Sequence, residues 1–283
     1  NYSLSNFFLN LAKYLNSDFI SYNTLYAENF YKIGNLEKSN AIYNIISKKG
    51  PIYFWHASKE ISKILIEEEK NEQALKLLEN SYQKIYSPTV YEIYDYAYFL
   101  KNNKKFDLSL SYYTKLINLI DKKHELYPKA TDGRGIVYEQ LGKWEKAEKD
   151  FLESLSVAPD QPYVINYLAY SWIEKGVNTK KSLEMLKKAN KLKKNDGYII
   201  DSLGWALYKL KRYEEAKKFL QLAVQIMPSD PVVNDHYADS LWMNSQAIQA
   251  RFFWNHVLSL KKTKKDLKKL VKEKLIFGPK LKL

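Results

Sequence analysis

Small side chains return at two fixed places about every 34 residues, and this repeat constrains the fold more than any other feature of the chain. A 34-residue unit can be numbered so that Gly204 is position 8 and Ala216 is position 20. Position 8 then holds Ala27, Ser62, Ala97, Gly135, Ala169, Gly204 and Ala238, and position 20 holds Ser39, Ala74, Ser109, Ala147, Ser182, Ala216 and Ala250. A period of this length indicates an array of stacked supersecondary units, each contacting its neighbours.

The apolar residues within a unit have helical spacing. Leu203, Leu207 and Leu210 follow one another at steps of four and three, which is the period of a helix. Gly204 costs roughly 1 kcal/mol relative to alanine inside a helix, so we expect it where a second helix passes too close for a larger side chain. Position 24 is large in every unit, as Tyr43, Leu78, Tyr113, Phe151, Leu186, Leu220 and Trp254. We therefore predict that positions 8 and 20 face each other where the two helices of a unit cross.

This pattern resembles the tetratricopeptide repeat (TPR) family, in which each 34-residue unit is a pair of antiparallel helices. The family's motif W-x2-L-G-x2-Y appears here as Ile200, Leu203, Gly204 and Leu207, without its Trp, and its motif A-x3-F appears as Ala147 and Phe151. The resemblance implies an all-α fold, a right-handed superhelical α-solenoid of about seven helix hairpins. The repeats are predicted at 20–53, 54–89, 90–127, 128–161, 162–196, 197–230 and 231–264, after a partial repeat at 1–19 and before a basic capping helix and tail at 265–283.

The first residues fit the second helix of a preceding unit. Ser5, Leu9 and Ala12 correspond to positions 20, 24 and 27, and no first helix stands before them in the sequence. We expect that the natural protein extends upstream, since an opened solenoid exposes apolar surface that a neighbour would cover.

The last residues predict a capping helix with a basic outer face. Leu267, Leu270, Val271 and Leu275 form one apolar stripe, and the chain is expected to fray after Gly278 and Pro279. Residues 261–283 contain ten of the lysines and only two acidic residues, within a total net charge of +13. Base-stacking aromatic residues do not alternate with these lysines, so we expect a solvated face and no specific nucleic-acid binding. Membrane contact is expected only through an anchor upstream of residue 1 or weakly through this tail.

In the TPR family, positions 2, 5, 9 and 12 of the first helices line the partner-binding groove. The residues that this resemblance assigns to the groove are Tyr94, Tyr98, Asp132, Ile136, Asn166, Tyr170, Asp201, Trp205, Asp235, Asp239 and Trp242. This aromatic and acidic set favours a protein or peptide ligand that carries basic groups. The alternative, that these aromatic rings pack against neighbouring first helices, stays open at this point.

The sequence contains no pattern that indicates catalysis, a metal or a cofactor. There is no cysteine, and the four histidines lie far apart. His236 stands beside Asp235 and Asp239, and we expect it to be a groove residue hydrogen-bonded to a carboxylate rather than a metal ligand. The lysine and asparagine set with which some TPR proteins bind a C-terminal carboxylate is missing, because Asn166 is followed at the next groove position by Tyr170. The expected function is therefore a non-enzymatic scaffold or adaptor.

Two stretches, 196–216 and 234–254, are similar to the C-terminal ends of bacterial cell-envelope TPR proteins. That group includes outer-membrane lipoproteins that act as adaptors for a periplasmic processing protease. The resemblance implies an envelope location and a protease or assembly-factor partner. A cytoplasmic scaffold, and a regulatory module of a larger enzyme such as a glycosyltransferase, are the alternatives.

Overall fold

The computed structural model describes residues 2–16 and 19–279. Within these residues the chain forms sixteen α-helices and no β-strand, which confirms the predicted all-α fold. The N-terminal unit, which ends at Lys143, contains α1 (Tyr2–Leu15), α2 (Ile20–Lys32), α3 (Leu36–Ile46), α4 (Pro51–Glu67), α5 (Asn71–Gln83), α6 (Val90–Asn102), α7 (Phe106–Leu119) and α8 (Tyr127–Gln140). The C-terminal unit, which begins at Trp144, contains α9 (Trp144–Val157), α10 (Pro162–Lys175), α11 (Thr179–Leu192), α12 (Gly197–Lys209), α13 (Tyr213–Ile226), α14 (Pro231–Met243), α15 (Ala247–Ser259) and α16 (Lys265–Phe277).

Consecutive helices pack as hairpins in both units. In the N-terminal unit the hairpins are α2–α3, α4–α5 and α6–α7, and in the C-terminal unit they are α10–α11, α12–α13 and α14–α15. We call the even-numbered helices from α2 to α14 the first helices, and the odd-numbered helices from α3 to α15 the second helices. Second helices also pack on the next first helix, as α7 does on α8 and α13 does on α14. Within each unit, neighbouring hairpins thus cover one another, as in a solenoid.

The small residues at positions 8 and 20 lie where two helices of a hairpin cross. The Ser39 hydroxyl donates to the Ala27 carbonyl oxygen at 2.9 Å, and the Ser109 hydroxyl donates to the Ala97 carbonyl oxygen at 2.8 Å. These bonds connect position 20 directly to position 8. Side chains of this size let the two backbones approach closely, and the large residue at position 24 is buried in each repeat.

At Gly204 the close approach is present, and the nearest atoms belong to the large residue at position 24. A Cβ atom on Gly204 would lie 2.6 Å from Leu220 Cγ and 3.1 Å from the Leu220 backbone nitrogen. Leu220, one helical turn beyond Ala216, thus extends its branched side chain over the glycine.

Every first helix from α2 to α14 ends in the same left-handed turn. The residue at position 15 has a positive φ in all seven repeats, as Gly34, Glu69, Lys104, Gly142, Gly176, Lys211 and Ser245. After α12, the Lys211 N–H donates to the Tyr208 carbonyl and the Arg212 N–H donates to the Leu207 carbonyl, both at 2.9 Å. This pair of bonds is the Schellman motif, which satisfies the last carbonyl groups of a helix. It fixes where the second helix starts.

Helix starts are set by capping side chains and by proline. Asp230 accepts hydrogen bonds from the backbone N–H groups of Val232 and Val233 at 2.9 and 3.1 Å. Thr89 and Glu92 form a reciprocal capping box at the start of α6. Proline lies in the first turn of α4, α8, α10 and α14, where its missing N–H costs nothing.

The two ends of the described chain have different surfaces. On α1 the side chains of Phe7, Phe8, Tyr14 and Leu15 are exposed. At the other end α16 packs on α15, with Val271 buried. Among the described residues no helix combines the length and apolar character that crossing a membrane requires. The expected fraying of the tail concerns residues 280–283, which lie outside the described residues, as do residues 1, 17 and 18 of the partial repeat.

Candidate functional site: the tyrosine rows of the first helices

Tyrosines at position 2 stand exposed near the start of three first helices. Tyr91 on α6 is 51% exposed, Tyr163 on α10 is 52% exposed and Tyr198 on α12 is 60% exposed. The Tyr91 hydroxyl donates to Glu125 Oε1 at 2.9 Å, and the Tyr163 hydroxyl donates to Asp196 Oδ2 at 2.9 Å. These bonds hold two of the rings in place, and Lys193 Nζ lies over the Tyr163 ring, 4.1 Å from its centroid. About half of each of these two side chains stays exposed. A fixed aromatic ring loses little conformational entropy when a ligand covers it.

A second group of tyrosines continues each row further along the first helices. In the N-terminal unit, the Tyr94 and Tyr98 rings stack with centroids 6.3 Å apart, and Lys101 Nζ lies 4.6 Å from the Tyr98 ring centroid. In the C-terminal unit, Tyr170 is half-buried and packs against the core of α12 and α14. Burial raises the pKa of Tyr170, so this hydroxyl stays protonated. We call Tyr91, Tyr94 and Tyr98 the N-terminal tyrosine row, and Tyr163, Tyr170 and Tyr198 the C-terminal tyrosine row.

Trp205 lies inside the C-terminal unit, which differs from the expected groove position. Only 9% of it is exposed, because its ring stacks on Tyr208 on one side and on His236 on the other, at 4.7 and 3.9 Å. Its indole N–H donates to Glu174 Oε1 at 2.6 Å. The contacts of Trp205 are therefore those of the alternative interpretation, in which the aromatic rings pack against neighbouring first helices.

Asp201 is also buried, and its partner is His236. The two side chains meet with His236 Nδ1 at 3.0 Å from Asp201 Oδ2. Burial lowers the pKa of His236, but the charge and hydrogen bond of Asp201 outweigh it, so the net shift is upward. The expectation that His236 pairs with a carboxylate is therefore met by Asp201 on the preceding first helix, rather than by its sequence neighbours. His236 itself is buried and is no groove residue.

Asp235 and Asp239 are buried under the C-terminal helix. Lys274 of α16 donates to both oxygens of Asp235 at 2.8 and 2.9 Å and to Asp239 Oδ2 at 2.8 Å. The Trp254 N–H donates to the other oxygen of Asp239 at 3.2 Å. Burial and the charge of Asp235 raise the pKa of Asp239 to about 7, against the opposing pull of Lys274. This closed network leaves neither carboxylate free for a partner.

The remaining expected residues are half-buried on first helices. Asp132 and Ile136 lie one turn apart on α8, so they share one face of that helix. Asn166 on α10 has a buried side-chain oxygen with no hydrogen-bond partner. Trp242 at the end of α14 packs against Gly278, and Arg251 lies 4.8 Å from the centre of its indole.

Sequence reasoning missed two residues of the interior of the C-terminal unit, Glu174 and Lys274, and nothing in the local sequence marks either of them. It expected His236 to meet a carboxylate, but placed it in the groove. The carboxylate that His236 meets is Asp201, one repeat earlier in the chain. In the described part of the chain no group of three or more histidine, aspartate or glutamate side chains is arranged to hold a metal ion.

Comparison with known proteins identifies the repeat. A family model described as tetratricopeptide repeat matches residues 57–263. A TPR repeat-containing protein of Pseudomonas aeruginosa is 28% identical over 99 residues, which is 35% of this chain and 17% of that protein. The matched stretch is thus well under two thirds of that relative's length.

Solved structures share the fold at low sequence identity. The Cut9–Hcn1 hetero-tetramer of the APC/C contains a chain with a TM-score of 0.71 and 16% identity, covering 97% of this chain and 53% of that one. The type IV pilus biogenesis factor PilW has a TM-score of 0.59 and 15% identity, covering 68% and 86%. YrrB, described as a TPR protein with an unusual peptide-binding site, has a TM-score of 0.50 and 16% identity, covering 65% and 92%. With its repeated hairpins and a family match over most of its length, this chain belongs to the tetratricopeptide repeat family.

Proposed function

We propose that this protein is a non-enzymatic scaffold that binds peptides or segments of partner proteins on the tyrosine rows of its first helices, each row within its own unit. The fold suggests an interaction scaffold, since TPR domains bind other proteins. The observation that carries the proposal is the set of exposed rings at position 2, two of which are fixed by hydrogen bonds at their hydroxyl ends. A rigid, open aromatic surface supplies contact area at low entropic cost.

The burial pattern supports the tyrosine rows over the rest of the expected groove. Trp205, Asp201, Asp235 and Asp239 are committed to contacts within the C-terminal unit. At least half of each of the side chains of Tyr163 and Tyr198 is already exposed, so a partner can contact them without rearrangement. We therefore place the partner on these exposed rings, and we assign the buried residues to holding the first helices together.

The test is selection from a random peptide library displayed on phage. The wild-type protein should enrich a peptide family, and the double variant Tyr163→Ala/Tyr198→Ala should not. Tyr86→Ala is the matched control, because Tyr86 is fully exposed in the turn before α6 and belongs to neither row. Equal enrichment by the wild type and the double variant would remove the C-terminal tyrosine row from the proposal.

The finer proposal concerns the partner's identity. We propose an envelope protease or an assembly factor, which is supported by the resemblance of residues 196–216 and 234–254 to the ends of envelope TPR proteins. Replacing Tyr198 with a photo-crosslinking amino acid in bacterial cells that make the whole protein would identify what lies against that position. A covalent adduct with a cytoplasmic protein would refute this assignment, and an adduct with a catalytic domain of the same polypeptide would favour the regulatory-module alternative.

A further inference from the structure

Three first helices carry an aspartate at position 5, and two of these aspartates have a basic partner within the protein. Asp201 on α12 is paired with His236, and Asp235 on α14 is paired with Lys274. The two basic side chains lie on α14 and α16, each two helices later in the chain than its aspartate. Both buried position-5 carboxylates of the C-terminal unit thus meet a basic side chain.

Asp132 on α8 is the exception. Its side chain is half-buried, and among the described residues its carboxylate has no hydrogen bond and no ion pair. Burial raises the pKa of Asp132 to about 6, and the charge of Lys101 opposes this only in part. The Lys101 ammonium group is placed over the Tyr98 ring rather than on the carboxylate. A carboxylate that is partly removed from water without a partner costs free energy, so its retention calls for an explanation.

The surroundings of Asp132 are aromatic and contain one buried polar atom without a hydrogen-bond partner. Tyr94 stacks on Tyr98, and the Tyr113 ring lies edge-on to Tyr94 with centroids 6.2 Å apart. Tyr113 is completely buried, and its hydroxyl has no hydrogen-bond partner. The tip of its ring passes directly over Gly133, where a Cβ atom would lie 2.5 Å from Tyr113 Cζ. Burial, and then the neighbouring Tyr94 and Asp132, raise the pKa of Tyr113, which agrees with a hydroxyl close to the carboxylate.

We propose that Asp132, Tyr94 and Tyr98 form a site, the Asp132 site, that binds a lysine or arginine side chain of the partner. This inference rests on the proposed function, because it names the chemistry of the ligand that the N-terminal tyrosine row takes. A basic side chain would pair with the carboxylate and lay its methylene groups on the tyrosine rings.

The protein itself contains both halves of this binding mode. Lys274 shows an ammonium group on a position-5 aspartate, with Nζ within 2.9 Å of both Asp235 oxygens. Lys101 shows an ammonium group over one of the rings that line the Asp132 site, 4.6 Å from its centroid. Charge complementarity therefore selects a cationic group over a neutral or acidic one.

The first experiment uses a library-selected peptide that binds the wild-type protein and that binds more weakly to Tyr91→Ala, a variant of the N-terminal tyrosine row. The inference predicts that it carries Lys or Arg at one fixed place, and that Asp132→Asn weakens binding at least tenfold. Asp107→Asn, an exposed aspartate on the second helix α7, is the control and should change binding less than twofold. Replacing the basic residue of the peptide with norleucine should weaken wild-type binding by the same factor and cause no further loss with Asp132→Asn. Unchanged affinity in Asp132→Asn would overturn the inference while leaving the proposed function in place.

The second experiment does not depend on a selected peptide. N-acetyl-lysine methylamide is titrated at millimolar concentration while the Tyr94 and Tyr98 ring signals are followed by NMR, with N-acetyl-norleucine methylamide as the uncharged probe. The lysine probe should shift both rings in the wild type and in Asp107→Asn, but not in Asp132→Asn. Equal shifts with the two probes would contradict the inference even if the library yielded binders. If spermidine displaces the selected peptide at a spermidine concentration below the peptide concentration, the site binds free polyamines. That result would also overturn the inference.

Discussion

The hydroxyl of Ser109 donates a hydrogen bond to the carbonyl oxygen of Ala97, 2.8 Å away and fully buried at a helix crossing. The fifth repeat has the same pair of residue types, Ser182 opposite Ala169, but the buried Ser182 hydroxyl has no partner. One contact thus exists in two versions, with and without its hydrogen bond. This difference predicts opposite responses to the same substitution.

Ser109→Ala should lower the free energy of unfolding by about 1 kcal/mol, because a buried hydrogen bond is lost. Ser182→Ala should leave it unchanged or raise it, because the substitution removes an unsatisfied buried hydroxyl. Urea unfolding followed by circular dichroism measures both variants. A larger loss for Ser182→Ala than for Ser109→Ala would show that the two crossings do not differ as described.

Gly204→Ala should destabilise the protein although alanine is the better helix former. The added methyl group would lie 2.6 Å from Leu220 Cγ, so the two helices must separate or Leu220 must move, at a cost of about 1–3 kcal/mol. In the double variant Gly204→Ala/Leu220→Ala the collision is relieved. Thermal melts should therefore show that the double variant loses less stability than the two single variants added together, whereas strict additivity would argue against the contact.

Lys211→Gly should stabilise the protein by about 0.5–1 kcal/mol. Lys211 has a φ of 61° in the turn between α12 and α13, a conformation that glycine adopts without the steric cost of a Cβ atom, and part of this gain is offset by the greater freedom of glycine in the unfolded chain. Lys187→Gly, in the middle of α11, is the control and should instead cost about 1 kcal/mol. A loss of stability in Lys211→Gly would mean that the left-handed turn is not under this strain.

Asp132→Asn should stabilise the protein at pH 7.5 and have little effect near pH 4. The pKa of Asp132 rises from the model-peptide value of 3.8 to about 6 on folding, so the folded state binds this proton more tightly than the unfolded state. The contribution of Asp132 to stability is therefore favourable below pH 4 and is lost as the pH rises from about 4 to 6. Removing the charge should restore on the order of 1–2 kcal/mol at pH 7.5.

Urea unfolding of the wild type and of Asp132→Asn at the two pH values measures this effect, with Asp107→Asn as the control that should show no such pH-dependent gain. If Asp132 is retained for binding, its substitution should raise stability and weaken the binding of a basic peptide. If Asp132→Asn were destabilising at pH 7.5, its carboxylate would have a stabilising partner in solution.

The helix hairpins could be predicted from the sequence because their cause is local and repeated. Small residues such as Ala97 and Ser109 recur at one spacing, and only a close crossing explains them in every repeat. The turn at position 15 was harder to predict. Gly34, Gly142 and Gly176 mark it in three repeats, but residues such as Glu69 and Lys104 conceal it in the others, because the backbone bonds of the Schellman motif hold any residue there.

The burial of Trp205 and Asp201 could not be predicted from the repeat. Whether a residue on a first helix faces solvent depends on how closely the next first helix approaches, and His236 brings that helix into contact with both side chains. Lys274 was equally hidden, since a lysine in a lysine-rich helix gives no sign that it alone enters the interior to meet Asp235 and Asp239.

The affinity of a library-selected peptide for two double variants tests the central claim most directly, that a partner binds on the exposed tyrosines of the first helices. Tyr163→Ala/Tyr198→Ala removes two exposed rings from α10 and α12, and Ile248→Ala/Phe252→Ala removes two exposed apolar side chains from the second helix α15. Fluorescence anisotropy should show at least a tenfold weaker affinity for the tyrosine variant and less than a twofold change for the α15 variant. Equal affinities for the wild type and the tyrosine variant, or a selective loss in the α15 variant, would contradict the account.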